Sequence, residues 1–377
     1  MKAIRFLLLV SVVLFSCSAP PDPAIRLRWV KAYPGEKWED VRTGLLWSLS
    51  YLGASLDSAT AKQLIERTDS SQFVLHLDRA GFSSSALQQL LSICENLRGS
   101  EEYEKNNAID LGRFLVLTEH TSNHYYSITG VAPTLQEFYR RHPFTNEKSY
   151  HLYRSAVAEH QRNLRFSIGK EVSAIAWIAE EGEGSIDSGT FRVEAYEALD
   201  VMPNGQLRFA IYDAAGNLVA GSPTHLGKAG KPSKCIWCHE LSVAPLFFET
   251  PEPLSGISTT EFGKWVDSSQ HLIDRHRATL HPLIRFANVQ DHTFGELLYI
   301  SFMEPSAYRL ANEWNTDTTT AAKKMPIATH TYAEFPFLGN CYYRYYADSL
   351  SPYEVRKVPV SVREYFGSEP DYLTREK

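Results

Sequence analysis

The stretch FRVEAYEALDVMPNGQLRFAIYDAAGN, residues 191–217, holds two period-two runs on either side of a turn. Phe191, Val193 and Ala195 alternate with Arg192, Glu194 and Tyr196. After Asn204-Gly205 the pattern resumes, with Leu207, Phe209 and Ile211 set between Arg208, Ala210 and Tyr212. Such alternation turns one face of a strand to the core and the other to water. Asn-Gly between two runs of this kind signals a two-residue hairpin. Ala215-Gly216-Asn217 marks the next turn, and Val172 to Ile178 reads as one more strand upstream. Residues 163–222 are therefore expected to form an antiparallel meander, either a lone sheet or part of a sandwich, within a β unit covering 163–225.

On both sides the period changes to that of a helix. Trp38, Val41, Leu45, Leu49 and Leu52 recur at helical spacing, as do Leu87, Leu90, Leu91, Cys94 and Leu97 after Ser83-Ser84-Ser85. Thr134 with Glu137 makes a capping box ahead of Phe138. Residues 35–162 read as a helical unit. Downstream, Phe262, Val266, Ile273 and Leu280 predict a helix ending before Pro282, and Thr293 with Glu296 opens another through Ile300. Beyond Pro326 the chain is dense in Tyr and Phe without a clear period. The expected class is α+β: a helical N-terminal part, the meander, and a mainly helical part over 226–377 with an aromatic-rich end.

At the amino end, Lys2 and Arg5 precede an apolar run from Phe6 to Phe15 that is broken only by Ser11. The run falls short of the roughly 20 residues a membrane-spanning helix needs. It has the layout of a secretory signal. Leu14-Phe15-Ser16-Cys17 resembles the bacterial lipobox. That resemblance implies cleavage after residue 16, lipid on Cys17, and a location in the bacterial cell envelope, on the periplasmic side or at the outer membrane. Successive prolines in Ser18 to Pro23 suggest an extended tether, placed over 17–34. The formal net charge is −6 and no basic stripe occurs, so nucleic acid is not an expected partner.

One motif carries sharp chemistry. Cys235-Ile236-Trp237-Cys238-His239 follows a Gly, Pro and Lys-rich stretch. The C-x-x-C-H spacing allows two thiols to bond the two vinyl groups of a haem, with the next imidazole beneath the iron. These five residues resemble the attachment site of c-type cytochromes. The resemblance implies one covalent haem c on Cys235 and Cys238 with His239 as iron ligand. Haem attachment in that family takes place outside the cytoplasm, where the leader independently points. A redox thiol pair, a zinc site and a disulfide are the competing readings. Met303, after an apolar helix and just ahead of Pro305, is the candidate sixth ligand, and His276 is the alternative.

Other motifs carry less. Gly230-Lys231 is followed by Pro232 where a phosphate loop needs Ser or Thr. Asn123-His124-Tyr125-Tyr126 reads as a solvated loop, and the carboxylates show no evident acid–base pair. Cys94 and Cys341 are either one disulfide or buried thiols. The function expected is electron transfer by a lipid-anchored mono-haem protein, its partner a redox protein or a quinone-linked membrane complex. A haem enzyme or small-ligand sensor, and a non-redox binding lipoprotein with structural cysteines, are the alternatives.

Overall fold

The structure, a computed structural model, describes residues 22–373 except 57–62, 155–159, 228–229, 241, 244–255, 279–291, 326, 352–354, 360, 363–364, 366, 368 and 371. Cys17, Leu280, His281 and Pro282 lie outside the described residues. The class is α+β, with twelve α-helices and two sheets among the described residues. None of these helices is long and apolar enough to cross a membrane.

A four-stranded sheet comes first, in the order β2-β3-β1-β4. Its strands are β1 (Ala24–Arg28), β2 (Ile65–Arg67), β3 (Gln72–His76) and β4 (Ile109–Asp110); β1 runs antiparallel to β3 and parallel to β4. β1 falls within the span read as a tether. Its Ile25 and Leu27 are fully buried while Arg26 and Arg28 face outward, a five-residue alternation that orders this stretch from Ala24 onward.

The helices of this half are α1 (Trp38–Tyr51), α2 (Ser84–Arg98), α3 (Glu101–Asn106), α4 (Leu111–Leu115), α5 (Ser122–Thr129) and α6 (Leu135–Arg141). Ser83 caps α2 by accepting from the Ala86 amide at 3.2 Å, and Thr134 caps α6 through the Glu137 amide at 3.1 Å, as the sequence signals predict. A π-helical turn, Val116–His120, joins α4 to α5.

The meander has five strands in chain order: β5 (Lys148–Leu152), β6 (Arg162–Ile168), β7 (Ile175–Glu183), β8 (Arg192–Val201) and β9 (Leu207–Asp213). It therefore begins 15 residues before the expected boundary of 163. The hairpin stands where Asn204-Gly205 puts it, and its tip is tied down: Asn204 Nδ2 donates to the carbonyls of Ser50 at 2.7 Å and Ala54 at 2.9 Å. The expectation of one wet face fails in the middle of the sheet. Tyr212 packs against Phe138 of α6 and donates its hydroxyl to the Ala132 carbonyl at 2.9 Å. On the other face, Phe166 stacks on Trp177 and meets Phe262 of α8 (Thr259–Arg277).

The short helix α7 (Pro232–His239) precedes α8; then come α9 (His292–Met303), α10 (Ala307–Trp314), α11 (Thr318–Lys324) and α12 (Arg344–Ser349). α9 packs against α1 and α4, and one hydrophobic core extends from Ile25 to Tyr372. The C-terminal part is held by buried charge as well. Glu313 accepts from Arg344 at 2.7 and 2.9 Å, from Arg309 at 2.9 Å and from Arg356 at 3.3 Å. Arg309 also pairs with Asp110 at 2.6 Å, Arg356 with Asp348 at 2.6 Å and with Glu102 at 3.4 Å, and Arg113 with Glu102 at 2.9 Å. Four arginines thus meet four carboxylates away from water.

Candidate functional site

The motif lies on α7 rather than in a loop. Pro232 occupies the first turn, where its missing N–H costs nothing and its fixed φ suits the helix. The Cys235 amide donates to the Lys231 carbonyl at 3.2 Å and so closes the first turn. α7 packs against β9 and α5.

Between α7 and the inner face of the meander is a partly enclosed pocket of about 100 Å³. That is below the range of about 300–1,000 Å³ usual for small-molecule and cofactor sites. Its wall is mostly apolar, with Leu164, Trp177, Leu199, Phe209 and Val243 contributing. Cys235 and His239 line it, and Arg162 and Glu197 are its charged members. Cys238 is partly exposed and lies off the wall.

His239 is positioned on both sides. Its ring lies 5.6 Å from that of Phe209, and Nδ1 is 3.2 Å from the Ser242 carbonyl. An imidazole whose Nδ1–H is given to a carbonyl presents its Nε2 lone pair, the arrangement that metal-bound histidines favour. Burial lowers the His239 pKa to about 4, while hydrogen bonding to the backbone at Ser242 and Val243 pulls the other way. The ring is therefore neutral at physiological pH. Burial, reinforced by Glu197 and Cys238, pushes the Cys235 thiol well up.

Three observations bear on whether these residues could hold a haem. Cys235 and Cys238 are both free thiols. Among the described residues, the cluster of three donors close enough to share one ion is Glu183, Glu194 and His225, and not the motif. Two thiols one helical turn apart could each bond an edge carbon of a flat group with the next imidazole toward its centre. Third, the buried Arg162 Nε has no hydrogen-bond partner among the described residues, and an acidic substituent in the pocket would supply one.

The remaining candidates lie elsewhere. Met303 is 2 % exposed at the end of α9, in the core, and none of the described side chains of α9 lines the pocket. His276 gives its Nε2 to the Pro203 carbonyl at 2.8 Å. Asn123 to Tyr126 belong to α5, not to a loop: Tyr125 accepts from the Phe209 amide at 3.2 Å, and Tyr126 donates to the Val219 carbonyl at 2.9 Å. They brace β9 behind the pocket. Cys94 and Cys341 are separate buried thiols.

Three residues of the site escaped sequence reading. Arg162, Glu181 and Glu197 sit side by side on the buried face of β6, β7 and β8. The signal was present for one of them, because Glu197 shares its phase with Phe191, Val193 and Ala195. Glu181 follows Trp177 and Ala179 in phase on β7, and the bulge comes directly after it, between Glu181 and Gly182. A Cβ on Gly182 would lie 1.8 Å from the Arg192 carbonyl oxygen, so the bulge requires glycine. No protein-family model, curated protein or solved structure matches this chain.

Proposed function

We propose that this pocket holds one covalently attached haem c and that the protein carries electrons outside the cytoplasm, anchored to a membrane by lipid on Cys17. The observation that carries the reading is the placement of Cys235 and His239 of a C-x-x-C-H helix on the wall of one mostly apolar pocket. When bound, the haem supplies a one-electron couple. The chain's own residues bind it, orient it and keep water off. Cys235 and Cys238 would form its thioethers, His239 would hold the iron through Nε2, and the meander would cover one side. Lipid attachment would keep the carrier near its donor and acceptor, a redox protein or a quinone-linked membrane complex.

A second reading draws on Met303. With that thioether in the core, a haem held by Cys235, Cys238 and His239 would supply an iron able to take a small ligand, and the protein would be a haem enzyme or sensor. Rapid carbon monoxide binding by the reduced protein would favour it. A weak near-infrared sulfur-to-iron band, lost in Met303→Ala, would favour the carrier.

The deciding test is expression of the full precursor in a host with haem-attachment machinery. Haem should stay with the polypeptide on a denaturing gel, and Cys235→Ala with Cys238→Ala should abolish it. The intact mass of the membrane fraction should include a diacylglyceryl or triacyl addition on Cys17. A colourless wild type containing zinc would overturn the haem assignment.

A further inference from the structure

A second set of donors stands where β7 ends. Glu183 is the last residue of β7, Glu194 is on β8, and His225 lies in a turn after β9. The bulge helps to bring them together. Ala195 pairs with Glu181 and Val193 with Gly182, so Glu194 is an extra residue with no register partner. An extra residue of this kind re-aims its side chain. His225 is presented by a turn in which the Leu226 amide donates to the Pro223 carbonyl at 3.1 Å, and Leu226, 1 % exposed, anchors that turn.

The donor atoms of the three residues all lie within 4.8 Å of one another, and His225 Nε2 is 3.0 Å from Glu194 Oε2. Two ligands at right angles on an ion, each about 2.1 Å from it, stand about 3.0 Å apart, and two opposite ligands about 4.2 Å apart. The cluster therefore needs only a small closure to share one ion. A surface pair between His225 and Glu194 would leave Glu183 unaccounted for, and such pairs contribute little. Two carboxylates this close repel each other. No Lys or Arg among the described residues pairs with either of them. Arg192 is the register partner of Glu183, yet the Glu183 carboxylate gathers with Glu194 and His225.

We propose that Glu183, Glu194 and His225 form a binding site for one divalent first-row transition ion, each giving one ligand atom. The two carboxylates balance the charge of the ion. An imidazole among the donors tells against Ca²⁺ and Mg²⁺, which take oxygen ligands. The lack of a thiolate tells against soft ions. The side chains of His225 and Glu194 are 52 % and 35 % exposed, so water fills the remaining positions. None of the three residues lines the pocket beside α7, and the proposal does not depend on the haem reading. The ion ties the end of the β7–β8 pair to the turn from which the chain runs on to α7.

The test uses Mn²⁺, a hard ion that suits carboxylates and that the motif thiols bind poorly. It is added to the full-length protein kept reduced, in which ferrous iron gives no overlapping signal. The six-line resonance of free Mn²⁺ should disappear up to one ion per chain at micromolar metal. Pulsed EPR of the bound ion should show coupling to one imidazole nitrogen, and His225→Ala should remove it. Glu183→Gln and Glu194→Gln should each weaken binding by more than about tenfold, since even the loss of an outer-shell partner costs about 10–100-fold. At a free concentration 100 times the dissociation constant, the wild type should melt about 5 °C higher. The variants should melt with the wild type in the absence of metal and gain less from it. Free Mn²⁺ resonance persisting at millimolar metal overturns the proposal, as does a bound ion without nitrogen coupling or equal binding by Glu183→Gln.

Discussion

Glu313→Gln removes one negative charge from the centre of the buried ionic network and leaves the shape nearly unchanged. Glu313 meets three arginines, Arg309, Arg344 and Arg356, all without solvent access of consequence. Its burial alone would raise its pKa, but Arg344, Arg309 and Arg356 together outweigh that and hold it well below the usual carboxylate range. Glutamine keeps one acceptor and turns an NH₂ group toward a guanidinium, so at least one of the two parallel Arg344 bonds is lost. Breaking a buried ion pair from one side costs about 3–5 kcal/mol, because the partner charge stays buried and uncompensated. In a chain of this size each kcal/mol moves the melting temperature by about 2 °C. The variant should therefore melt roughly 6–10 °C below wild type at neutral pH, measured by calorimetry. Glu66→Gln, at an exposed carboxylate, serves as control and should stay within about 0.5 kcal/mol. The pH dependence has a definite sign. A carboxyl whose folded pKa is depressed adds stability above its unfolded pKa of about 4.3, and that stability fades as pH falls through the folded value. The gap between wild type and Glu313→Gln should be full at neutral pH and narrow below about pH 4. Equal melting temperatures at neutral pH, or a gap that widens in acid, would refute the reasoning.

Gly112→Ala should destabilise by about 1–3 kcal/mol or more in urea, because its Cβ would lie 2.4 Å from Phe302 Cβ and 2.5 Å from the Leu298 carbonyl oxygen at the crossing of α4 and α9. Gly263→Ala in α8 meets nothing within 4 Å and should be neutral or gain up to about 1 kcal/mol; if both behave alike, the close crossing is not what the first glycine serves. Burial raises the thiols of Cys94 and Cys341 to about 12. A disulfide reagent should leave both untouched in the native haem-loaded protein and titrate both after unfolding, and rapid labelling of the native protein would contradict their placement.

The parts of the fold legible in the sequence are those with long, regular patterns. The hairpin at Asn204-Gly205 and the caps at Ser83 and Thr134 each rest on local chemistry that repeats wherever it occurs. The first sheet was illegible because its strands are two to five residues long, too short for a period to establish itself. The C-terminal segment was illegible for a different reason. Arg344 and Arg356 are fully buried, and their positions are set by Glu313, Asp348 and Glu102 rather than by apolar spacing. Of the site, the five motif residues could be read because their chemistry is local. Glu181 could not be joined to Arg162 and Glu197, because strand register alone brings them together.

Glu102 and Arg356 meet across 254 residues of chain. A ribosome working at about 5–20 residues per second needs roughly 13–50 s to travel that distance. For that interval Arg113 is the countercharge Glu102 has, and the buried network around Glu313 is completed only when the C-terminal arginines are made. The motif helix belongs to the same waiting period: it is complete well over a hundred residues before Arg356 arrives. The residues that line the pocket, from Arg162 to Val243, are likewise all made before Arg356 arrives.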